Sequence, residues 1–552
     1  STDCAVCHYC WREPKSMAND LGERADGIRR RDFLKAVGVS GAGATIAGCS
    51  TGEVERLLPY VVAPEEITPG VATWYSTVCG GCASGCGMWV RTREGRAVHV
   101  EGNPDHPVSQ GGLCSKGHAT LQHLYNPDRY HGPMIREGEV MRQGTWDEGE
   151  RLLAASINGA LNPLPDQPAR GVLFIGGYMG PTSSALVDEF MLAVGGDRVD
   201  FDAVSDAPLK EAARIAYGVN AVPRYDIGAA NLLLSFGNDF IETGTSPVAH
   251  SKGFASMSAV DEAGGEKGRF VYLGPRLSLT GLNADEWIPI QPGSEAAVAL
   301  GMASAIAGPD AAGPYANLLQ AYNPASAAAA AGVSVEAIEE LAGRFALEPS
   351  SLAMGPGPGA HHRNATAANL AVMILNHVAG NVGTTVFYEG VSPAATASYS
   401  DIESVIDAMA SGDIGVVIVH GTNPAYSLPS TSGFVEAFEQ VQYKVSFASA
   451  MDETSALCDL VLPDSRFFES WGDSTPRAGA LAIQQPVMQQ VSTIDSRPSG
   501  DTMLAVLGHL GSEPEVGTFY EYLRARHEAA HDGSYGDFET YWHQTLRVGV
   551  AE

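Results

Sequence analysis

Cys79-Gly80-Gly81-Cys82-Ala83-Ser84-Gly85-Cys86 and, further on, Cys114-Ser115-Lys116-Gly117 set four cysteines in a C-x2-C-x3-C-x27-C array. Three thiolates in one short loop can wrap one face of a cubane, and a fourth from a separate stretch closes the remaining iron. Gly80, Gly81, Gly85 and Gly87 let the loop fold tightly, because glycine reaches conformations closed to other residues. The spacing reads as a 4Fe-4S cluster held by Cys79, Cys82, Cys86 and Cys114, and therefore as electron transfer. A structural zinc site also takes four cysteines, but it pairs two short knuckles rather than a run of three with a lone partner. Two disulfides are allowed outside the cytoplasm, although they would leave this spacing to accident. Cys458, inside Ala456-Leu457-Cys458-Asp459-Leu460-Val461-Leu462, reads as a buried small hydrophobe.

Outward from the loop, Met88-Trp89-Val90-Arg91-Thr92 and Ala97-Val98-His99-Val100-Glu101 read as strands joined at Glu94-Gly95, a hairpin that spaces the third and fourth ligands. Residues 71–132 make one small cluster domain on this reading. Beyond it the pattern changes to short aliphatic runs separated by helical stretches. The runs are Gly171-Val172-Leu173-Phe174-Ile175, Asn231-Leu232-Leu233-Leu234-Ser235-Phe236, Arg269-Phe270-Val271-Tyr272-Leu273 and Gly415-Val416-Val417-Ile418-Val419. Such alternation predicts parallel α/β sheets buried on both faces. Several runs end in loops that suit a nucleotide-like ligand or its vestige: Gly176-Gly177-Tyr178, Gly237-Asn238-Asp239, Gly274-Pro275-Arg276 and Gly421-Thr422-Asn423-Pro424.

Upstream, Arg30-Arg31-Asp32-Phe33-Leu34-Lys35 precedes a bland, glycine-rich apolar run too short to span a bilayer, the pattern of a twin-arginine export signal over residues 17–49. That route carries folded proteins, which fits a cofactor inserted before export. Ile46-Ala47-Gly48-Cys49 resembles a lipobox, and acylation of Cys49 would anchor the chain to a membrane. Cys4-Ala5-Val6-Cys7-His8 matches a c-type haem attachment pattern, yet it precedes the export signal and would be discarded with it; residues 1–16 remain a leader of no assigned role, with Met17 a credible start. A linker follows over residues 50–70. The chain of 552 residues carries a net charge of −30 and is 45% hydrophobic and 18% charged. It has the composition of a globular protein, and its charge argues against nucleic acid as a partner.

The order of motifs resembles the molybdopterin oxidoreductase superfamily, which includes periplasmic nitrate reductase, formate dehydrogenase and polysulfide reductase. The likeness rests on the cysteine array, Val271-Tyr272-Leu273-Gly274-Pro275-Arg276, Ile290-Gln291-Pro292-Gly293-Ser294-Glu295, Asn376-His377-Val378-Ala379-Gly380-Asn381, Gly421-Thr422-Asn423-Pro424 and Asp459-Leu460-Val461-Leu462-Pro463. It implies an α/β fold in which the small 4Fe-4S domain is followed by two interleaved parallel-sheet domains. One would be built from residues 133–196 and 348–482 and the other, residues 197–347, inserted within it. Residues 483–552 would form a C-terminal extension, about where the family's barrel domain begins. The likeness also implies Lys116 as the electron link between cluster and pterin, and Gly177, Asn238, Pro275, Arg276, Gly293, Ser294, Glu295, Asn423 and Pro424 as pterin contacts or their vestige.

Two departures bear on activity. Catalytic members supply a metal ligand from the turn opening the inserted domain, here Asp202-Ala203-Val204-Ser205-Asp206-Ala207, with no cysteine. Ser205 or Asp206 could ligate molybdenum, whereas an acidic residue before Pro208-Leu209-Lys210-Glu211 is more simply a helix N-cap. Later, Glu469-Ser470-Trp471-Gly472-Asp473-Ser474-Thr475-Pro476-Arg477-Ala478-Gly479 replaces the pterin-contacting segment of catalytic relatives. In this it looks most like the molybdopterin-like half of the alternative complex III iron–sulfur subunit, and related quinone reductase subunits of sulfate reducers are similar. That resemblance implies an electron relay or scaffold in a periplasm-facing quinol-oxidising complex. Its partners would be an integral-membrane quinol-binding subunit, a multihaem cytochrome c and further iron–sulfur subunits or domains. The alternative is an autonomous enzyme with molybdenum bis-(pterin guanine dinucleotide) acting on a small substrate. His361 and His362, after a Gly-Pro-rich loop, are read as exposed loop residues before any role in proton transfer.

Overall fold

The computed structural model describes residues 68 and 70–551, apart from 166, 261–266, 309–314, 359–361, 389–396, 513 and 534–535. The twin-arginine stretch, Cys49, the haem-type motif and His361 lie outside these residues. The described residues from Gly70 onward belong to one unit.

The three strands Ala72–Val78, Gly87–Arg93 and Arg96–Gly102 form an antiparallel sheet. Glu94 and Gly95 both take positive φ, +50° and +74°, the turn whose twist matches a two-residue hairpin. Met88, Val90, Ala97 and Val100 face inward with Cys79 and Cys86 in one apolar cluster.

The main sheet has seven strands, in the order Val140–Gln143, Met134–Glu137, Leu460–Val461, Tyr443–Ser446, Ile414–His420, Gly171–Gly176 and Asp197–Asp200. The last five run parallel, and Met134–Glu137 pairs antiparallel with Leu460–Val461. Alternation explains why both faces are buried. Val172, Phe174, Val416 and Ile418 pack against Leu153 and Ile157 of the helix Trp146–Leu161, while Leu173, Ile175, Val417 and Val419 point to Ile402, Ile406 and Phe438 on the opposite side.

A second parallel sheet, ordered Glu286–Ile288, Arg269–Leu273, Leu232–Phe236 and Ser351–Met354, lies between the two halves of the first in sequence. The expected boundaries of the insert need correction at both ends. Asp197–Asp200 completes the main sheet, and Ser351–Met354 bonds to Leu232–Phe236, not to the main sheet. The helix Ala365–Val378 follows it, burying Ala371, Val372, Ile374 and Leu375 with Leu232 and Leu234. Val386–Phe387 then pairs with Arg224–Tyr225, so the insert extends from about residue 201 to about residue 388 rather than over 197–347.

Residues 483–552 are woven into the same body. Met503, Val506 and Leu507 of the helix Ser499–His509 complete the core around Phe174 and Leu460. The Gln485 amide donates to the Ser76 carbonyl at 2.6 Å and to the Leu546 carbonyl at 2.7 Å, tying the first strand to the last helix. Among the described residues no helix is long and apolar enough to cross a membrane.

Candidate cluster centre and cavity

The cluster loop closes on itself through its own backbone. The Cys79 N–H donates to the Cys86 carbonyl at 2.8 Å, and the Gly85 N–H to the Cys82 carbonyl at 3.3 Å. Gly85 takes φ +49°, and a side chain there would strike the Ser474 hydroxyl, so the turn needs glycine twice over. Cys114 immediately precedes the short helix Ser115–His118 and lines one cavity together with Cys79, Cys82 and Cys86. None of the four is disulfide-bonded.

Burial pushes the Cys79 thiol up to about 12, and Cys86 is raised further, with the other cysteines adding to the rise in both. Lys116, exposed at the cavity, opposes the rise at Cys79. Thiols in this state stay protonated unless positive charge meets their sulfurs, which is what coordinated iron supplies. Cys82 and Cys114 act electrostatically on both Cys79 and Cys86. Cys458 is wholly buried, as its apolar surroundings required, and its thiol donates to the Thr454 carbonyl at 3.3 Å.

The cavity encloses about 2050 Å³ between the cluster loop and the carboxyl ends of the main-sheet strands. Pockets for drug-sized ligands run to about 300–1,000 Å³, so this one has room for a dinucleotide. Gly177 and Gly421, from the loops after two neighbouring strands, approach so closely that a side chain on Gly177 would run into the Gly421 carbonyl. Of the residues expected around a pterin, Gly177 and Asn423 line the cavity, as does Asp206.

The other expected contacts stand outside its walls, several of them engaged within the protein, although one oxygen each of Asn238 and Glu295 is buried without a partner. Asn238 spends its amide on the Gly355 carbonyl at 2.8 Å, and Arg276 turns outward to Asp239 at 3.2 Å. Ser294 donates to the Gln291 carbonyl at 2.6 Å beside Gly293 and buried Glu295, at the start of the helix Glu295–Ala307. Pro275 shares the Arg276 loop, and Pro424 opens the short helix Pro424–Ser427. Even Asn423 is partly committed: its oxygen accepts from the Thr454 hydroxyl at 2.7 Å, and its amide donates to Glu453 at 2.7 Å. His362 is exposed, accepts from the Asn364 N–H at 3.2 Å and is not part of the cavity wall.

Asp206 departs from its expected role. It precedes the helix Ala207–Tyr217, yet its side chain makes no capping bond. Pro208 has removed one N–H that a cap would accept, and the Ser205 hydroxyl accepts from Ala207 N at 3.0 Å. One carboxylate oxygen of Asp206 is left buried without a partner. Burial, opposed by Lys210 and reinforced by Asp202, pushes its carboxyl from 3.8 up to about 7. Between those values the folded chain binds more protons than the unfolded chain, so stability falls as pH rises through that window. Asp206→Asn should therefore be more stable than the parent at about pH 8, by ~2–4 kcal/mol in denaturant unfolding, with the gap closing near about pH 4. An unchanged gap at the two pH values would contradict the burial argument.

Further residues at the cavity were not singled out in the sequence. His420 bonds Asp464 at 3.0 Å and lies between Phe174 and Phe447. Tyr178, its hydroxyl 2.9 Å from that of Ser474, is raised to about 12, chiefly by burial and then by Asp473 and the cluster cysteines. Asp473 accepts from the Thr182 hydroxyl at 2.5 Å and lies 3.3 Å from His527. These partners are dozens to hundreds of residues apart in the chain, and no local spacing signals them.

Residues 72–126 match the family model for the molybdopterin oxidoreductase Fe4S4 domain, and residues 129–493 match the molybdopterin oxidoreductase model. The chain belongs to the molybdopterin oxidoreductases. It is 30% identical over 539 residues to the menaquinone reductase molybdopterin-binding-like subunit of Nitratidesulfovibrio vulgaris, covering 92% of this chain and 76% of that protein. It is 28% identical over 295 residues to the arsenate respiratory reductase molybdopterin-containing subunit of Shewanella sp. strain ANA-3, covering 51% of this chain and 33% of that one. Among solved structures, acetylene hydratase from Pelobacter acetylenicus superposes with a TM-score of 0.64 at 13% identity, over 86% of this chain and 72% of that one, a likeness of fold.

The 4Fe-4S cluster thus has a domain of its family's type and a set of thiols that suits it. A pterin dinucleotide fits the cavity volume and the close glycine backbones, where Gly177 and Gly421 would hold it. When bound, such a cofactor supplies molybdenum redox chemistry. This chain's own contribution there would be to border the group and exclude water.

Proposed function

We propose that the chain is an iron–sulfur, molybdopterin-oxidoreductase-like subunit of a quinol-oxidising membrane complex, where it relays electrons or serves as a scaffold. The observation that carries this reading is the turn opening the inserted domain. It offers no cysteine, its Ser205 hydroxyl is engaged by the Ala207 N–H, and Asp206 is a buried carboxyl whose proton is held to about 7. A relay function needs the cluster and no substrate chemistry at that turn. Similarity to a menaquinone reductase subunit supports the coarser part of this reading, a subunit of a quinone-linked respiratory complex. The partners would be an integral-membrane quinol-binding subunit, a multihaem cytochrome c and further iron–sulfur proteins or domains. Arg30-Arg31 would direct export to the periplasmic side and an acylated Cys49 would anchor the chain there.

The second reading, an autonomous molybdenum enzyme, is favoured by the unpartnered Asp206 oxygen and the size of the cavity. Metal analysis of the full-length protein from cells that make molybdenum cofactor separates the two. The relay reading expects iron and acid-labile sulfide with molybdenum and tungsten far below one per chain; either metal near stoichiometry would reject it.

A further inference from the structure

We propose that the cavity contains an oxyanion site centred on the Arg466 guanidinium, assisted by the Ser449 hydroxyl, which takes a phosphate or carboxylate group. Arg466, Ser449 and His420 all line the cavity. Arg466 and Ser449 lie just past the carboxyl ends of the parallel strands Leu460–Val461 and Tyr443–Ser446, and His420 ends the adjacent strand Ile414–His420, the edge at which open α/β sheets receive ligands. The inference is independent of the electron-relay reading, since it concerns a ligand of the cavity and not the cluster.

Charge around Arg466 is unbalanced. Arg466 Nη1 donates to Ser449 Oγ at 3.0 Å, a neutral partner. The carboxylates nearby are already committed. Asp464 bonds His420 at 3.0 Å and accepts from the Ser499 N–H at 2.8 Å, while Glu469 pairs with Arg129 at 2.8 Å and accepts from the Val491 N–H at 2.9 Å. Among the described residues no carboxylate forms an ion pair with Arg466. Burial, and then the neighbouring Arg129 guanidinium, work against its charge, with Asp464 and Glu469 opposing them from a distance. A guanidinium cannot shed its proton to escape, so the charge persists, and a largely buried charge without a counter-ion is costly. The cavity is the side from which a counter-ion can arrive. A planar fork of N–H donors matches the paired oxygens of a phosphate or carboxylate, and the serine hydroxyl beside it can add a further hydrogen bond.

The test uses the purified full-length protein with its cluster in place and inorganic phosphate as the probe. Phosphate should raise the melting temperature of the parent, less so as sodium chloride is added, and calorimetry should show Arg466→Gln losing at least about tenfold in apparent affinity while keeping the cluster's visible absorbance. Without phosphate, Arg466→Gln should melt at or above the parent, because an unbalanced charge has gone; an arginine with a purely structural role would make the variant melt lower. The source of the oxyanion is read separately. Phosphorus released on denaturing the parent but absent from the variant assigns the site to a resident nucleotide, whereas phosphorus-free protein that binds phosphate assigns it to a free ion. A parent that neither carries phosphorus nor binds phosphate overturns the proposal, as does a variant that binds as the parent does. Should Arg466→Gln fail to accumulate, phosphate protection of Arg466 in the parent against an arginine-specific dicarbonyl reagent decides the matter by peptide mass spectrometry. Equal modification with and without phosphate overturns the site.

Discussion

Cys86→Ser is expected to strip the protein of its four-iron cluster. Cys86 is 6% exposed and sits directly after the left-handed Gly85, so a serine would fit the space with almost no change in backbone. What changes is the ligand: a hydroxyl is a poor substitute for the soft thiolate that iron takes in this type of site. The visible absorbance should fall to a small fraction of the parent's, and iron should drop from about four per chain towards zero. Folding should suffer with it. Without iron, Cys79 reverts to a buried protonated thiol, and the binding energy that fastens the loop to the distant Cys114 is lost. Cys458→Ser is the control, since that thiol is buried in the main body and belongs to no such group. Its variant should keep all the iron. Equal iron loss in both variants would point to general misfolding and remove the inference about ligation.

Arg129→Met should cost about 3–5 kcal/mol of stability, a loss measurable by denaturant unfolding. Arg129 and Glu469 form a paired set of hydrogen bonds at 3.3 and 2.8 Å, with side chains 1% and 0% exposed. The pair rivets the end of the cluster domain to the segment that follows the main sheet, and Arg129 also donates to the Leu124 carbonyl at 2.9 Å. Removing the arginine leaves Glu469 buried with only backbone donors from Arg466 and Val491. Replacing both partners by methionine should recover part of the loss, because the penalty comes from the stranded charge more than from the missing attraction. A double variant no better than Arg129→Met would show that packing, not charge, sets the cost.

The parts of this structure that could be read from the chain were those with a short period or a fixed spacing. The cysteine array announced the cluster loop, Glu94-Gly95 announced the hairpin, and the aliphatic runs at residues 171–175, 232–236, 269–273 and 415–419 announced parallel strands, because each pattern is local and has few physical solutions. The extent of the insert was misjudged because Ser351–Met354 is four residues long and its partner lies more than a hundred positions earlier. Asp206 looked like a cap because its place before a helix is a strong local signal. Pro208 and Ser205 cancel that signal, and burial then gives the carboxyl a different character. Likewise Arg466, His420 and Ser449 meet only once three strands are laid side by side, so their common position at the cavity belongs to topology and not to any motif. The loops carrying Asn238, Pro275 and Arg276 had the right composition for a ligand, but the Asn238 amide nitrogen is spent on the Gly355 carbonyl, its oxygen is buried without a partner, and Arg276 turns outward to Asp239.

Electron transfer through this chain requires that four cysteines from two separated stretches share one cubane. Electron paramagnetic resonance of the dithionite-reduced full-length protein, alongside iron and acid-labile sulfide per chain, tests this most directly. About four of each are expected, with a single reduced-cluster signal integrating to about one spin per chain, lost in Cys86→Ser and kept in Cys458→Ser. Zinc at one per chain, or iron-free folded protein with an unaltered melting temperature, would contradict it.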